Sequence, residues 1–385
     1  MNNSLLAAED YSALAWLCSI KNFNGKLGMR FINSLSSPKE IMNLTDSQLK
    51  EILTPAALTA FIKAKKEKPS ELVQEALLQH NTTFISYYDS TYPEHLKNIP
   101  DAPLGLFVRG KLPSDAAPSV AIIGARNCSE YGIHIATELG KYLGSIGIQV
   151  ISGMACGIDG ISQRAAINAG GTSYGVLGSG VDVCYPPSNK NLYEALLSSG
   201  GIISTYGMGE PAIASNFPPR NRIVSGLADA IVVVEARQKS GTIITVDMAL
   251  EQGREVYAVP GRITDRLSDG CNGLIGQGAN VYLSPEIFVT ELMEYLSNNS
   301  VSQNKERLHR TFEGTEHVPD GLDEEQAYIY SQLSITPLSV ESICDKINSH
   351  SESNYSYSQV SMILMQLMLD NHAKQVSQGY FAKVL

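Results

Sequence analysis

The chain has 385 residues, 43% hydrophobic and 18% charged, with a formal net charge of −10. That length allows two or three domains of ordinary globular composition, and no run of about 18 apolar residues suggests a membrane span. The acidic balance argues against coating duplex DNA through charge alone, although a screening length of about 8 Å leaves room for a local basic groove.

Residues 5–80 read as several short helices, among them "SALAWLCSI", "KLGMRFINSL", "TDSQLKEIL" and "AALTAFIKAKK". The start has no basic region before an apolar core, so no signal peptide is expected. Ser37-Pro38 and Thr45-x-x-Gln48 have the form of helix starts, a cap followed by proline and a capping box. Residues 1–80 are therefore taken as an N-terminal helical domain, and residues 81–118 as a lead-in to the next one. From 119 onward a unit repeats: a short apolar strand, a Gly-rich turn, an amphipathic helix. The strands are "SVAIIG" (119–124), "IQVIS" (148–152), "SYGVLG" (173–178), "GIIST" (201–205), "AIVVVE" (230–235), "EVYAVP" (255–260) and "NVYL" (280–283). Near-continuous Val/Ile runs alternating with helices predict an α/β domain over 81–296, a doubly wound Rossmann-like parallel sheet covered on both faces. The polar stretch 297–321 reads as a linker. Residues 322–385 predict three helices and a terminal hairpin, the winged-helix form of helix-turn-helix. Six cysteines are scattered with no C-x-x-C pair, which suits reduced thiols in a cytoplasm rather than a disulfide framework or zinc site.

Ligands of open α/β sheets bind beyond the carboxyl ends of the strands. The segments that follow the strands here are "GARNCSEYG", "SGMACGID", "GSGVDVCYPPSNK", "TYGMGEPAIASNFPPRNR", "EARQKSGT" and "PGRITDRLSDGCNGL", all on one rim. Glycines there expose backbone N–H groups, and "KSGT" precedes the helix "IITVDMALEQG", whose orphan donors then point at the rim. Arg126, Arg220, Arg222, Arg237 and Lys239 surround that spot with positive charge. The two prolines of "NFPPRNR" (216–222) read as stiffening a turn that presents Arg220 and Arg222 to an anion. The first turn lacks G-x-G-x-x-G, and "KSGT" is not a P-loop. No metal-ligand cluster, carboxylate pair or Ser/His/Asp set lies on the rim, so neither a cofactor nor a metal is expected.

Several of these residues have a structural reading beside the functional one. Arg222 can tie its turn to a carboxylate such as Asp229. Gly153 and Gly157 can serve helix–strand packing alone, and Ser129 can cap the helix that starts at 130. Lys190 and Lys239 can be solvated surface charges. Tyr193 shares helical spacing with Leu192 and Leu196, which favours core packing over base stacking. Asp159 and Glu235 read as turn and helix-cap acceptors rather than catalytic acids.

Together the motifs "GARNCSEYG" (124–132), "SGMACGIDGISQRAA" (152–166), "VLGSGVDVCYPPSNKNL" (176–192), "NFPPRNRIVSGLADAIVVVEARQKSGTIIT" (216–245), "EQGREVYAVPG" (251–261) and "GCNGLIGQGA" (270–279) resemble those of the bacterial DNA-processing protein A family, DprA or Smf. The resemblance implies a non-enzymatic single-stranded DNA-binding protein that shields incoming strands in natural transformation and loads the RecA recombinase on them. It also implies a homodimer through the central domain. Carried over by motif, Gly124, Arg126, Ser129, Gly153, Lys190, Asn216, Arg220, Arg222, Lys239, Ser240, Gly241 and Thr242 would contact the strand. Phe217 or Tyr193 would stack a base. Two positions depart from the family pattern, Gln163 in place of a histidine and Thr205 in place of the glutamate of "SEYP", and both are expected on or near the rim.

A nucleotide hydrolase of the phosphoribohydrolase type is the competing reading, since "KSGT" loosely resembles the substrate turn of such enzymes. Their P-G-G-x-G-T-x-x-E pattern is absent, however, and the available acid is Asp247. A winged-helix transcription regulator fits less well: residues 291–385 carry 6 basic and 13 acidic side chains, and "SYSQVSMILMQLMLD" has no Arg or Lys to read base edges.

Overall fold

The computed structural model describes residues 7–67, 70–299, 322–333, 338–350, 355–370, 372–377 and 379–383. They fall into two compact units, Met1–Pro285 and Glu286–Leu385. The expected linker lies outside the described residues from 300 to 321. Among the described residues no helix is long and apolar enough to cross a membrane.

The first unit opens with five helices, α1 (Ala8–Cys18), α2 (Lys26–Asn33), α3 (Asp46–Ile52), α4 (Pro55–Glu67) and α5 (Ser70–Gln79). Thr45 and Gln48 form the expected capping box of α3. Ser37-Pro38 opens a 3-10 turn, Pro38–Asn43, rather than an α-helix. Trp16, Phe23 and Phe31 all pack around Phe61, two of them edge to face. This aromatic group merges with Phe84, Phe107, Leu177 and Ile202 in one buried cluster. The helices therefore share a core with the sheet behind them.

That sheet has nine strands: β1 (Thr83–Ser86), β2 (Gly105–Gly110), β3 (Ser119–Ile123), β4 (Gln149–Ser152), β5 (Ser173–Leu177), β6 (Gly200–Ser204), β7 (Ala230–Val233), β8 (Glu255–Ala258) and β9 (Asn280–Val281). Between them run α6 (Glu94–Lys97), α7 (Glu130–Ser145), α8 (Ile158–Asn168), α9 (Lys190–Ser199), α10 (Phe217–Gly226), α11 (Gly241–Glu251) and α12 (Asp269–Gly276). Their spatial order is β1-β2-β6-β5-β4-β3-β7-β8-β9. Strands β3 to β9 pair in parallel, as their apolar runs predict. Strands β1 and β2 depart from the all-parallel expectation. They add to β6 as an antiparallel edge built from the lead-in segment. Alternation along the strands fills both faces: Phe107 and Ile202 join the cluster beneath the N-terminal helices, while Leu106, Val108 and Ile203 face α10 and its neighbours. The chain winds outward from β3 to β6, then returns to β7, so the switch point lies between β3 and β7.

Helices α7 and α8 approach very closely. A Cβ on Gly140 would lie 2.3 Å from the Ser162 carbonyl oxygen, and one on Gly144 2.4 Å from that of Ala166. Glycine at these two positions is a requirement of the packing.

The second unit holds α13 (Pro285–Asn299), α14 (Glu324–Gln332), β10 (Leu338–Ser339), α15 (Val340–His350), α16 (Tyr357–Leu369), β11 (Ala373–Ser377) and β12 (Tyr380–Lys383). The strands form one antiparallel sheet ordered β10-β12-β11. Ile329, Ile343, Val360, Leu364 and Phe381 make its core, while Met362, Met365 and Leu369 stand exposed on α16.

Candidate nucleic-acid interface

A cleft of about 700 Å³ opens at the switch point. Gly124 and Arg126 after β3, Gly153 after β4, and Arg237, Ser240, Gly241 and Thr242 after β7 line it, together with Phe217 and Arg220 of α10. The loops converge because β3, β4 and β7 end on the same edge of the sheet.

"NFPPRNR" is helix, not a free turn. Its prolines occupy the first positions of α10, where a missing N–H costs nothing and the fixed φ suits the helix. The helical path drives Arg220 inward. That side chain is 5% exposed and donates to the Gly153 carbonyl at 2.8 Å and to the Val176 carbonyl. Burial pulls its pKa down to about 10, against the raising influence of Asp159, so it remains a cation at neutral pH. Asp159 is buried as well and accepts the Gly153 N–H at 3.1 Å. Burial pushes its carboxyl above the ordinary value, while Arg220 and the Gly153 N–H pull it back.

Phe217 carries the second layer. Its ring lies under two guanidinium groups, Arg126 at 5.5 Å and Arg220 at 5.6 Å from the centroid, and beside the ring of Tyr185 at 5.6 Å. Arg126, Arg237 and Lys239 are exposed and make no ion pair among the described residues. Helix α11 begins at Gly241 with no side-chain cap bond and no acidic residue in its first turn. The hydroxyl of Ser240 is buried without a partner, and the Thr242 hydroxyl reaches the Gly124 carbonyl at 3.4 Å. Cations, an uncapped helix N-terminus and an aromatic plate together suit a ligand with both phosphate and ring character.

The structure does not bring every expected residue to this cleft. Ser129 caps α7 by accepting the Gly132 N–H at 3.2 Å and gives its own N–H to Glu235. Lys190 stands at the start of α9, 3.9 Å from Glu194 one turn on. Asn216 is buried, donating to the Pro211 carbonyl while its own carbonyl accepts the Tyr206 hydroxyl. Arg222 turns to the other side of α10 and pairs with Asp101 at 3.0 Å, not with Asp229. Lys239 stands exposed between the lining residues Arg237 and Ser240. Tyr193 is buried, its hydroxyl spanning Arg109 and the Val181 carbonyl. Gln163 is not on the rim: it is buried in α8 and donates to Ser173 and to the Tyr174 carbonyl. Thr205, also buried, holds the Asn24 amide through its carbonyl. Tyr185 was not anticipated; its one signal is an aromatic residue directly before the prolines of "YPPSNK".

Fold and cleft define a mostly parallel α/β protein with an arginine-lined cleft at its switch point. The chain belongs to the DNA recombination-mediator protein A family, whose model matches residues 83–293. It is 40% identical over 207 residues to the DNA processing protein DprA of Streptococcus pneumoniae, covering 54% of this chain and 73% of that protein. Against DprA of Bacillus subtilis the identity is 34% over 276 residues, covering 68% and 93%. The match to Smf of Escherichia coli spans 58% of each chain at 40% identity. The crystal structure of the pneumococcal protein superposes with a TM-score of 0.62 at 31% identity, over 74% of this chain and 99% of that one. A DNA processing protein A from Helicobacter pylori, whose structure describes a single-stranded DNA binding mode, superposes at 0.50 with 26% identity, over 55% and 96%.

Proposed function

We propose that this protein binds single-stranded DNA in the switch-point cleft, as a non-enzymatic DNA-processing factor of natural transformation. The carrying observation is the Arg126–Phe217–Arg220 stack beside the uncapped start of α11. Phosphates would meet Arg126, Lys239 and the N–H groups at Gly241 and Thr242, while a base stacks toward Phe217. Strand contact by Lys190 and Ser129 is a peripheral part of this reading; Arg220 and Gly153 act by shaping the wall, and Asn216 and Arg222 by holding α10 in place. Loading of RecA and dimerisation through the sheet domain belong to the same reading, as implications of the family resemblance. We read residues 1–80 as a SAM-like helical domain and 322–385 as a winged helix that contacts protein. A cytoplasmic location accords with these roles. The hydrolase alternative is disfavoured by Asp247, which is exposed in the middle of α11 and does not line the cleft.

The test is a salt titration of binding, single strand against duplex of equal length. Single-strand affinity should exceed duplex affinity, and Lys239→Ala should lower the log–log salt slope by about 0.7 with little dependence on sequence. Equal affinity for both forms with an unchanged slope would contradict the reading.

A further inference from the structure

A second cleft, of about 610 Å³, lies on the opposite side of the first turn of α10. Pro218 lines both clefts, so they adjoin across a ridge at the start of α10. Pro218 and Pro219 are exposed on that ridge, two apolar rings with no N–H to satisfy. The far wall is the loop joining α1 to α2 together with the start of α2, which contribute Lys21 and Lys26 respectively. Tyr206 supplies an aromatic surface, its hydroxyl fixed on the Asn216 carbonyl.

The charges of this cleft are sorted. Asp101 is spent internally, pairing with Arg222 at 3.0 Å and accepting the Lys26 N–H at 2.9 Å. Lys21 and Lys26 are exposed, and their ammonium groups make no ion pair among the described residues. What remains uncommitted is two ammonium groups facing one carboxylate, Glu210. A polyanion leaving the first cleft over the proline ridge therefore enters a region of net positive charge.

We infer that the second cleft continues the nucleic-acid path, with Lys21 and Lys26 of the N-terminal helical layer taking the phosphates that follow those held at the switch point. The inference rests on the first cleft holding the strand. It gives the helical layer a direct part in binding, and it makes the occupied length depend on both layers.

The experiment compares thymidine oligonucleotides of about 4 and about 16 nucleotides. Each is titrated in salt against the wild type, Lys21→Ala/Lys26→Ala and Arg126→Ala. For the long oligonucleotide the double variant should lower the salt slope by about 1.4 and weaken binding at low salt, as two lost phosphate contacts require. For the short one it should match the wild type. A double variant that equals the wild type at both lengths, or that weakens both equally, overturns the inference; in either case weakened binding by Arg126→Ala leaves the first-cleft reading standing. If Arg126→Ala binds as the wild type does at both lengths, the first-cleft reading fails and the continuation falls with it.

Discussion

Arg222 and Asp101 form a 3.0 Å ion pair that ties α10 to the lead-in segment, the point at which the helical layer is also held. The same arginine donates to the Asp101 carbonyl, and its own carbonyl accepts the Gln252 amide at 3.0 Å. Asp101 in turn receives the Lys26 N–H at the start of α2. One pair thus joins α2, the lead-in segment, α10 and α11.

Arg222→Ala should therefore act mainly on stability. The guanidinium is largely buried while the carboxylate is partly exposed, so loss of the clamp is expected to cost about 1–2 kcal/mol. A lower denaturant midpoint, with short-oligonucleotide affinity little changed, is the expected result. An unaltered midpoint would show that the clamp contributes nothing.

Phe217→Ala should act mainly on binding. Loss of one stacking plate corresponds to about 1–3 kcal/mol per base, readable by fluorescence anisotropy. Phe217→Trp keeps an aromatic face and should retain most of the affinity. Equal loss in both variants would mean that the ring shapes the wall without stacking a base.

Arg220→Ala should destabilise in a pH-dependent manner. Asp159 already has a raised carboxyl pKa in the folded state, and Arg220 is the largest of the influences that moderate it. Without Arg220 the folded value rises further. A carboxyl raised on folding contributes stability that is full below its unfolded pKa and lost as pH rises through its folded pKa. Above that folded value the variant holds a buried carboxylate with no guanidinium beside it, at a cost of about 3 kcal/mol. The stability gap to the wild type should shrink as pH is lowered through the carboxylate range. A gap constant with pH would place the cost elsewhere.

The parallel strands were legible because Val/Ile runs such as 230–234 are buried on both faces and admit few alternatives. β1 and β2 were not, because "TFIS" and "GLFVRG" are separated by a four-residue helix rather than by a repeating unit. Motif order located the rim, yet it read Arg220 and Arg222 as presented together from one turn. Arg220 and Arg222 sit two residues apart on α10, about 200° around the helix, and so point to different clefts. Only helical phase separates the two, and reading the proline pair as a turn hid it. The Phe217–Tyr185 contact joins residues 32 apart in sequence and has no local signature.

The tight contact of α7 with α8 reaches further than packing. The loop before α7 carries Arg126, and the loop before α8 carries Gly153, with Asp159 following in the first turn of α8. The Ile158 N–H reaches the Ala125 carbonyl at 3.3 Å, so the loops are joined to each other as well. Two helices locked at Gly140 and Gly144 move as one body, and both loops travel with it. The entropy of ordering this part of the cleft is therefore lost during folding, before any ligand arrives. Capture should be governed by encounter, not by rearrangement of the receiving surface.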